Sequence, residues 1–210
     1  MRKKSLAVLG ALSFLTLNAQ SFIHYTPFGG TEVAAEVVSV PGDGIYWVGH
    51  TNAFGTQDIL VIKYDFQGNF IWSYVYDSNQ NEDDRAYGAA PVTGGGIVIA
   101  GEIRGGVRDG LALYVQPNGN VGFARQFTGI RANFNDVIQH SNGSFYFVGK
   151  ERMGGGREEV VLVILDINGN TIAKFYYDDG GNGNWDEGES LVELPNGDIA
   201  IIGYTDDGGS

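Results

Sequence analysis

The segment at residues 178–189 carries oxygen-bearing side chains at the spacing of a calcium-binding loop. Counted from its first residue, the candidate ligands stand at positions 1, 5, 7, 9 and 12: Asp178, Asn182, Asn184, Asp186 and Glu189. In loops of the EF-hand type these positions supply ligands, and a glycine at position 6, here Gly183, allows a sharp turn. Position 3 is Gly180, which offers no side-chain ligand. The pattern predicts a calcium site, and the alternative is a plain connector of Asn, Gly and Asp.

An earlier linker, YDSNQNEDDR at residues 76–85, occupies the equivalent place in the chain. It carries acids or amides at alternate positions: Asp77, Asn79, Asn81 and Asp83. It lacks the central glycine and the terminal glutamate of the later loop. Asp186 aligns with Asp84 and with Glu32, so part of the acidic cluster at 178–189 marks the start of a repeat and needs no metal to explain it.

Signals for catalysis are scarce. The three histidines form no HExxH or HxH pattern: His24, His50 and His140. No GxSxG motif occurs, and the glycine clusters at 94–96 and 154–156 lack the helix and lysine of a phosphate-binding loop. Neighbouring acids such as Asp83 and Asp84 do not show the two carboxylates from different strands that a glycosidase needs. These observations favour a protein that is not an enzyme, with the enzyme class left open.

A glycine at the end of an apolar strand recurs four times. The four copies read GIYWVGHT, GIVIAGEI, SFYFVGKE and DIAIIGYT, with the glycine at Gly49, Gly101, Gly149 and Gly203. The spacings are 52, 48 and 54 residues, and a turn rich in Gly or Asn precedes each strand. The residue after the glycine differs in every copy, and we interpret it as a variable surface position: His50, Glu102, Lys150 and Tyr204.

A second landmark recurs in step with the first. The turn glycines Gly68, Gly119 and Gly169 lie 51 and 50 residues apart, and asparagine follows each of them. An acid stands ten residues before each of these glycines: Asp58, Asp109 and Glu159. We predict that these acids cap free amides of the preceding loop. A shared functional role is the alternative.

Each unit contains four short strands, and no stretch after the N-terminal segment shows helical periodicity with caps. Four antiparallel strands in about 50 residues, repeated in tandem, are typical of a β-propeller blade. The predicted fold is therefore all-β, a β-propeller-like array of four-stranded antiparallel blades. Its predicted parts are a lone outer strand at 20–28, full units at 31–77, 83–128 and 131–178, and a partial unit at 186–210.

The partial unit stops where the other copies continue into a third strand. Because a closed propeller has four to eight complete blades, we expect a chain that is truncated relative to a longer protein, or an open array. An unpaired strand edge invites pairing with another chain. Further blades or a partner strand are therefore expected to close the array.

The N-terminus has the features of a secretory signal peptide at residues 1–19. Three basic residues precede an apolar run at 6–17, and Ala19 is a small residue at which a signal peptidase could cleave. The run is shorter than the roughly 20 apolar residues that span a bilayer. We expect a mature chain that begins at Gln20 and contains no membrane helix.

Charge and cysteine content exclude several classes of function. The formal net charge is −12, and removal of the three basic residues of the signal, with no acids among them, leaves −15. Such an acidic surface disfavours nucleic acids and anionic membranes as partners. The chain has no cysteine, which excludes cysteine nucleophiles, thiolate metal sites and disulfides.

The repeat resembles a known family. The pattern DEGESLVELPNGDIAIIGYT, a variable loop and then DILVIKYDFQGNFIWSYVY is similar to the repeats of bacterial β-propeller proteins found in secreted and cell-surface contexts. The resemblance covers residues 20–210 and implies a scaffold or binding module more than a named reaction. Gln116, Tyr114 and Ala173 stand where the first copy has aspartate, lysine and tryptophan. These departures argue against a quinone cofactor docked on tryptophans.

Together these features predict an exported extracellular or cell-surface module, with the periplasm as an alternative location. Its role is binding or structural, and its ligand is a protein or a carbohydrate at the cell surface. The alternative function is a carbohydrate-active propeller enzyme, a hydrolase or lyase, stabilised by calcium. Aromatic side chains that either stack on sugar rings or pack between blades are Trp47, Tyr87, Tyr146 and Tyr204.

Overall fold

The computed structural model describes residues 30–78, 81–128, 131–178 and 185–206. The predicted signal peptide at 1–19 and the predicted lone strand at 20–28 lie outside these ranges. Within them, the regular structure consists of fourteen β-strands and one short 3₁₀ turn, Gly154–Gly156. None of the described residues forms a helix long and apolar enough to cross a membrane.

The strands form consecutive antiparallel sheets, which we call blades. Blade 1 contains β1 (Glu32–Val40), β2 (Gly44–Thr51), β3 (Asp58–Tyr64) and β4 (Phe70–Tyr76). Blade 2 contains β5 (Asp83–Pro91), β6 (Ile97–Arg104), β7 (Arg108–Val115) and β8 (Val121–Phe127). Blade 3 contains β9 (Ala132–Gln139), β10 (Phe145–Arg152), β11 (Glu158–Leu165) and β12 (Thr171–Tyr177).

A two-stranded half-blade follows blade 3. It consists of the antiparallel pair β13 (Trp185–Glu193) and β14 (Ile199–Asp206). A single parallel bridge between Glu158 and Trp185 links it to β11. The described strands therefore form an open array of propeller-type blades without a closed sheet, which confirms the predicted fold class.

The first strand of each blade lies on the inner side of the array. β1 packs beside β5, β5 beside β9, and β9 beside β13, whereas β4, β8 and β12 form the opposite edges of their blades. Neighbouring strands of a blade are antiparallel, so its first and third strands run in the same direction and begin at the same rim. The third strands β3, β7 and β11 therefore begin at the same rim as the first strands β5, β9 and β13. We call this the upper rim. It brings together the ends of strands that are far apart in the sequence.

Apolar side chains fill the space between successive blades. Ile59 and Val61 of blade 1 pack in one cluster with Ile97 and Leu113 of blade 2. A second cluster fills the junction of blades 2 and 3, and a third joins blade 3 to the half-blade. A blade buries both of its faces only when it has a neighbour on each side, which explains why the sequence pattern recurs in tandem.

The recurring glycines mark close contacts between the two inner strands of each unit. Every one of them lies at a β-bulge where the register between these strands shifts. An added Cβ would lie 2.0 or 2.1 Å from a backbone carbonyl oxygen of the neighbouring strand at all four positions, namely Gly49, Gly101, Gly149 and Gly203. The landmark in the sequence therefore reflects a packing requirement of the bulge.

The second landmark is the turn between the third and fourth strands. Gly68 has a φ of 85°, and the Asn69 side chain donates a hydrogen bond of 2.7 Å to Asp65. Asp166 and Asn170 repeat this contact at 2.9 Å in blade 3. In blade 2, Gln116 replaces the aspartate. There the backbone N–H of Asn120, which follows the turn glycine, donates a hydrogen bond to Asn118 Oδ1.

Candidate functional site

A polar cavity lies at the upper rim, where blades 2 and 3 meet the half-blade. We call it the rim cavity. Its volume is about 440 Å³. Polar and aromatic side chains of its lining are Arg108, Arg131, Asn133, Lys150, Glu158 and Trp185.

The strand topology explains why these residues meet. Arg108 begins β7, Glu158 begins β11 and Trp185 begins β13. Arg131 directly precedes β9, and Lys150 stands two residues before the end of β10. All of these positions lie at the upper rim, so the cavity collects polar side chains from strands that belong to three different repeats.

Lys150 lies between two carboxylates that come from different parts of the array. Its Nζ is 3.0 Å from Glu158 Oε2 in blade 3 and 2.6 Å from Glu187 Oε2 in the half-blade. Burial tends to lower the pKa of Lys150, but its hydrogen bonds to Glu187 and Glu158 outweigh burial and raise the pKa. The ammonium group therefore stays charged and links the two blades.

Glu187 is the most extensively bonded acid at this rim. Besides Lys150, it accepts hydrogen bonds from Asn135 Nδ2 at 2.8 Å, Asn133 Nδ2 at 3.1 Å and the Tyr204 hydroxyl at 2.7 Å. Burial alone would raise its pKa, but these donors outweigh burial and lower the pKa of Glu187 to about 2. The side chain is therefore ionised at neutral pH and holds no proton to donate.

Two arginines of the rim cavity have no acidic partner among the described residues. The side chains of Arg108 and Arg131 are exposed, and neither has a hydrogen-bonding or ion-pair partner in the described part of the chain. Trp185, on the same cavity, is 58% exposed. In a chain of net charge −12, the cavity is thus a local cationic and aromatic surface.

The position after the recurring glycine is not uniformly a surface position, so that prediction is wrong. Glu102 is fully buried and accepts hydrogen bonds from the Tyr87 hydroxyl and from Arg104 Nε. Burial and the contact with Glu102 raise the pKa of Tyr87 to about 12. The structure therefore assigns Tyr87 to a buried network instead of an exposed stacking surface.

The other predicted aromatic positions have different environments. Trp47 packs against the cluster of Leu60 and Ile62 in blade 1. Tyr146 stacks on the His140 ring with centroids 4.8 Å apart. Tyr204 is 51% exposed and holds Glu187. Neither Trp47 nor Tyr146 lines the rim cavity.

The predicted calcium ligands of residues 178–189 are only partly described. Asn182 and Asn184 lie outside the described residues. Asp178 follows β12 and pairs with Arg157 at 3.4 Å, while Asp186 is buried on β13 with Oδ1 lacking a hydrogen-bond partner. Both residues line one groove, and Glu189 is exposed further along β13. Calcium binding by this loop stays a prediction.

The three acids in register are buried, and their predicted role as loop caps is wrong. The partner of Asp58 is the Thr56 hydroxyl, at 3.4 Å. Gln126 Nε2 donates to Asp109 at 2.9 Å, and Arg157 pairs with Glu159 at 3.5 Å. In the described part of the chain their partners are therefore side chains. The reason is position, since each acid is the first or second residue of a third strand, where it is buried beside the next blade.

An apolar groove of about 490 Å³ lies beside the half-blade. Val160 and Tyr177 of blade 3 face Ile199 and Ile201 of β14 across it. At the equivalent place in blade 2, Ile97 and Ile99 are covered by Leu111 and Leu113 of the third strand, β7. The groove is thus the space that the third strand of a complete blade fills.

The cationic residues of the rim cavity were missed by sequence reasoning. The repeat contained a signal that locates them: Arg108 immediately precedes Asp109, and Trp185 immediately precedes Asp186. Positions that start a first or a third strand share one rim, because these two strands of a blade run in the same direction. Their contact across blades, however, follows from packing and is not visible in the spacing of any one repeat.

Comparisons with known proteins bear on the fold. No protein-family model matches the chain, and no curated protein sequence matches it. The chain is similar to a solved structure of a protein of unknown function from Dyadobacter fermentans, at 14% identity and a TM-score of 0.52 over 84% of this chain and 63% of that chain. It is also similar to a protein of unknown function from Bacteroides caccae (17% identity, TM-score 0.49, 81% and 53% covered). A third likeness is to the periplasmic gluconolactonase PpgL of Pseudomonas aeruginosa (9% identity, TM-score 0.42, 80% and 64% covered).

The chain spans between 53% and 64% of the length of these three proteins. At 14% identity, the likeness to the Dyadobacter protein concerns the fold alone. Strand order, antiparallel pairing and the stacking of four-stranded sheets define that fold in this chain. The protein is a β-propeller-type array of four-stranded blades.

Proposed function

We propose that the protein is an exported binding module of β-propeller type whose rim cavity binds an anionic carbohydrate. One observation carries the proposal: the cavity combines an exposed tryptophan with two arginines that have no side-chain partner within the described ranges, on a chain that is otherwise acidic. The function belongs to the cavity, because a propeller scaffold by itself assigns none.

The chemistry of these side chains suits an acidic sugar. A guanidinium group binds a carboxylate or sulfate through two parallel hydrogen bonds. An exposed indole presents an apolar face of the kind on which a sugar ring packs. The volume of the cavity, about 440 Å³, lies in the range typical of small-molecule sites.

The charge state of Glu187 favours binding over hydrolysis at this site. Glu158 and Glu187 come from different blades, as the carboxylates of a glycosidase do. Both contact Lys150, and Glu187, with its pKa of about 2, carries no proton for a leaving group at neutral pH. A general acid needs a raised pKa. The pair therefore serves to position Lys150.

Export is the second part of the proposal, and its support is the N-terminal sequence. A basic head, an apolar run and Ala19 occur in the order of a secretory signal. We expect cleavage after Ala19 when the full precursor is produced in a bacterium with a secretion system. Intact-mass measurement of protein recovered outside the cytoplasm should give a chain that begins at Gln20. A retained Met1 on the exported protein would contradict this.

Completion of the array is the third part. The groove beside β14 and the coverage of 63% of the Dyadobacter structure support a third strand supplied by further blades or by a partner. Such a strand would pair with the β14 edge and bury Ile199 and Ile201, as β7 does for the equivalent residues of blade 2.

Binding to polyuronates tests the proposed ligand. We expect the protein to bind polygalacturonate or alginate in calorimetry and affinity electrophoresis, and not neutral dextran. Replacement of Arg108 or Arg131 by alanine should weaken binding about tenfold, the equivalent of about 1.4 kcal/mol. Trp185→Ala should weaken it similarly. Binding should also decline with salt, because the charges are exposed.

Two control variants separate the cavity from general surface effects. Arg125→Ala removes an arginine of β8, the outer strand of blade 2, away from the cavity. Its Nε donates a hydrogen bond to the Gly169 carbonyl of blade 3. Phe54→Ala removes an aromatic ring that is 65% exposed. Both should bind as the unmodified protein does. Polyuronate binding that survives the loss of both cavity arginines would refute the assignment.

A further inference from the structure

Three aspartates meet at the junction of blades 1 and 2. Asp58 is the first residue of β3, Asp77 directly follows β4, and Asp84 is the second residue of β5. One carboxylate oxygen of each lies within 4.8 Å of the others. Blade 1 thus supplies two of the carboxylates and blade 2 supplies the third.

The carboxylate of blade 2 is buried and incompletely bonded. Asp84 is fully buried, and its Oδ2 accepts a hydrogen bond of 2.6 Å from the Ser78 amide. Its Oδ1 has no hydrogen-bond partner, and neither does the buried Oε1 of Gln57 on the adjoining loop. A buried acceptor without a partner costs free energy unless something else satisfies it. The junction therefore contains buried acceptor oxygens without a hydrogen-bond partner.

The two buried acids of this junction have no cationic partner among the described residues. Asp58 is 2% exposed, and neither Asp58 nor Asp84 pairs with a lysine or arginine in the described part of the chain. Two buried carboxylates beside a third acid need a cation to remain ionised and close together.

The other two junctions show what replaces such a cation. At the junction of blades 2 and 3, the equivalents of Asp77 and Asp84 are Thr128 and Ala132, so only Asp109 remains and Gln126 bonds to it. At the junction of blade 3 and the half-blade, the acids are Glu159, Asp178 and Asp186. There the guanidinium of Arg157 pairs with the first two of these acids. The first junction differs from both. It has three acids, and within the described ranges no arginine or lysine contacts Asp58 or Asp84.

We propose that Asp58, Asp77 and Asp84 form a calcium site that holds blade 1 against blade 2. The donors are all oxygen atoms, which suits a hard cation. Calcium–oxygen distances of about 2.4 Å allow a single ion to bridge oxygens that are this far apart. Gln57 Oε1 is a further neutral donor, and the exposed side of Asp77 leaves room for water ligands.

This site is independent of the proposed carbohydrate binding. It uses residues of blades 1 and 2, whereas the rim cavity uses residues of blades 2 and 3 and the half-blade. It also differs from the predicted loop at 178–189, which lies at the third junction. Loss of polyuronate binding would leave the calcium inference intact, and the converse also holds.

Calcium titration of the chelator-treated full chain tests the site directly. Calorimetry should show one ion bound with a Kd on the order of 0.1–1 mM, the range of extracellular calcium modules. The melting temperature should rise by about 5 °C in about 10 mM calcium, because an ion that binds only the folded state stabilises it. Magnesium at the same ionic strength should produce a much smaller rise.

Variants at two junctions identify which acids respond. Asp84→Asn and Asp77→Asn should each abolish the calcium-dependent rise. Both should still fold in chelator, since asparagine relieves the repulsion among the acids. The matched control Asp109→Asn changes the equivalent of Asp58 at the second junction and should keep the full rise. Asp186→Asn, at the third junction, should also keep it.

Three outcomes would overturn the proposal. One is the absence of any calcium-dependent rise in the unmodified protein. Another is a rise that persists in both Asp84→Asn and Asp77→Asn. A third is a rise that disappears in Asp186→Asn but not in Asp84→Asn, which would place the ion in the later loop.

Discussion

Replacement of Gly149 by alanine should destabilise the protein by about 4 kcal/mol, near the upper end for a single substitution. An added Cβ would lie 2.0 Å from the carbonyl oxygen of Asn133 and 2.9 Å from the Cα of Phe134. Both atoms belong to the backbone of β9, so no side-chain rotation relieves the clash. The two inner strands of blade 3 must separate at the bulge, and hydrogen bonds of the β9–β10 ladder are lost.

Urea denaturation followed by circular dichroism measures this effect, and the chain offers a matched control. Gly154 lies only five residues away, has nothing within 4 Å of an added Cβ, and does not adopt a positive φ. Gly154→Ala should therefore change the free energy of unfolding by less than about 0.5 kcal/mol. Equal urea midpoints for the two variants would show that the close approach of β9 and β10 is not a constraint.

Replacement of Phe134 by alanine should cost about 4 kcal/mol, the range for removal of a buried phenylalanine. Phe134 is 1% exposed and lies between blades 2 and 3. Its ring packs edge-on against Phe127 at 5.1 Å and lies 5.4 Å from the Phe147 ring. Gly110 leaves space for it, since a Cβ there would lie 2.9 Å from the Phe134 ring. Truncation would leave a cavity that these rigid neighbours cannot fill.

The control for this second prediction is Phe54→Ala, which removes a phenylalanine that is 65% exposed. It should change the free energy of unfolding by less than about 0.5 kcal/mol. Phe134→Leu should lie between the two, because it retains part of the buried volume. A loss below about 1 kcal/mol for Phe134→Ala would mean that blades 2 and 3 do not pack as described.

Both predictions concern strand β9, and this strand also supports the rim cavity. Arg131 precedes it, and Asn133 is its second residue. Local disruption of β9 should therefore weaken ligand binding as well as stability. The calcium response should be affected less, because Asp58, Asp77 and Asp84 belong to blades 1 and 2.

Periodicity explains which features could be predicted from the sequence. The four strands of a unit, the turns between them and the recurrence of Gly49, Gly101 and Gly149 follow from contacts that are local or that recur at a constant interval. Period-2 alternation and turn residues report such contacts directly. For the first unit, the pattern predicts strands at 33–40, 45–50, 59–64 and 70–76, and each end lies within one residue of the observed strand.

Other features depended on burial, which the repeat frame does not report. Glu102 was interpreted as a surface residue because its equivalents differ, yet it is fully buried beside Tyr87. Glu102 bonds Tyr87 and Arg104 of its own blade. Lys150 instead lies between Glu158 of blade 3 and Glu187 of the half-blade. Variation among repeats therefore indicated specialised environments as much as exposure.

The sequence by itself determined the blade: its four strands, its turns and the glycine required at its bulge, because these features depend on short-range geometry that repeats about every 50 residues. Only the tertiary structure decided which charged side chains meet. Asp58, Asp77 and Asp84 converge because blade 2 packs against blade 1, and Arg108, Arg131 and Trp185 share a cavity because three repeats meet at one rim. Contacts across blade junctions depend on how whole sheets stack, and residue spacing within one repeat carries no information about that arrangement.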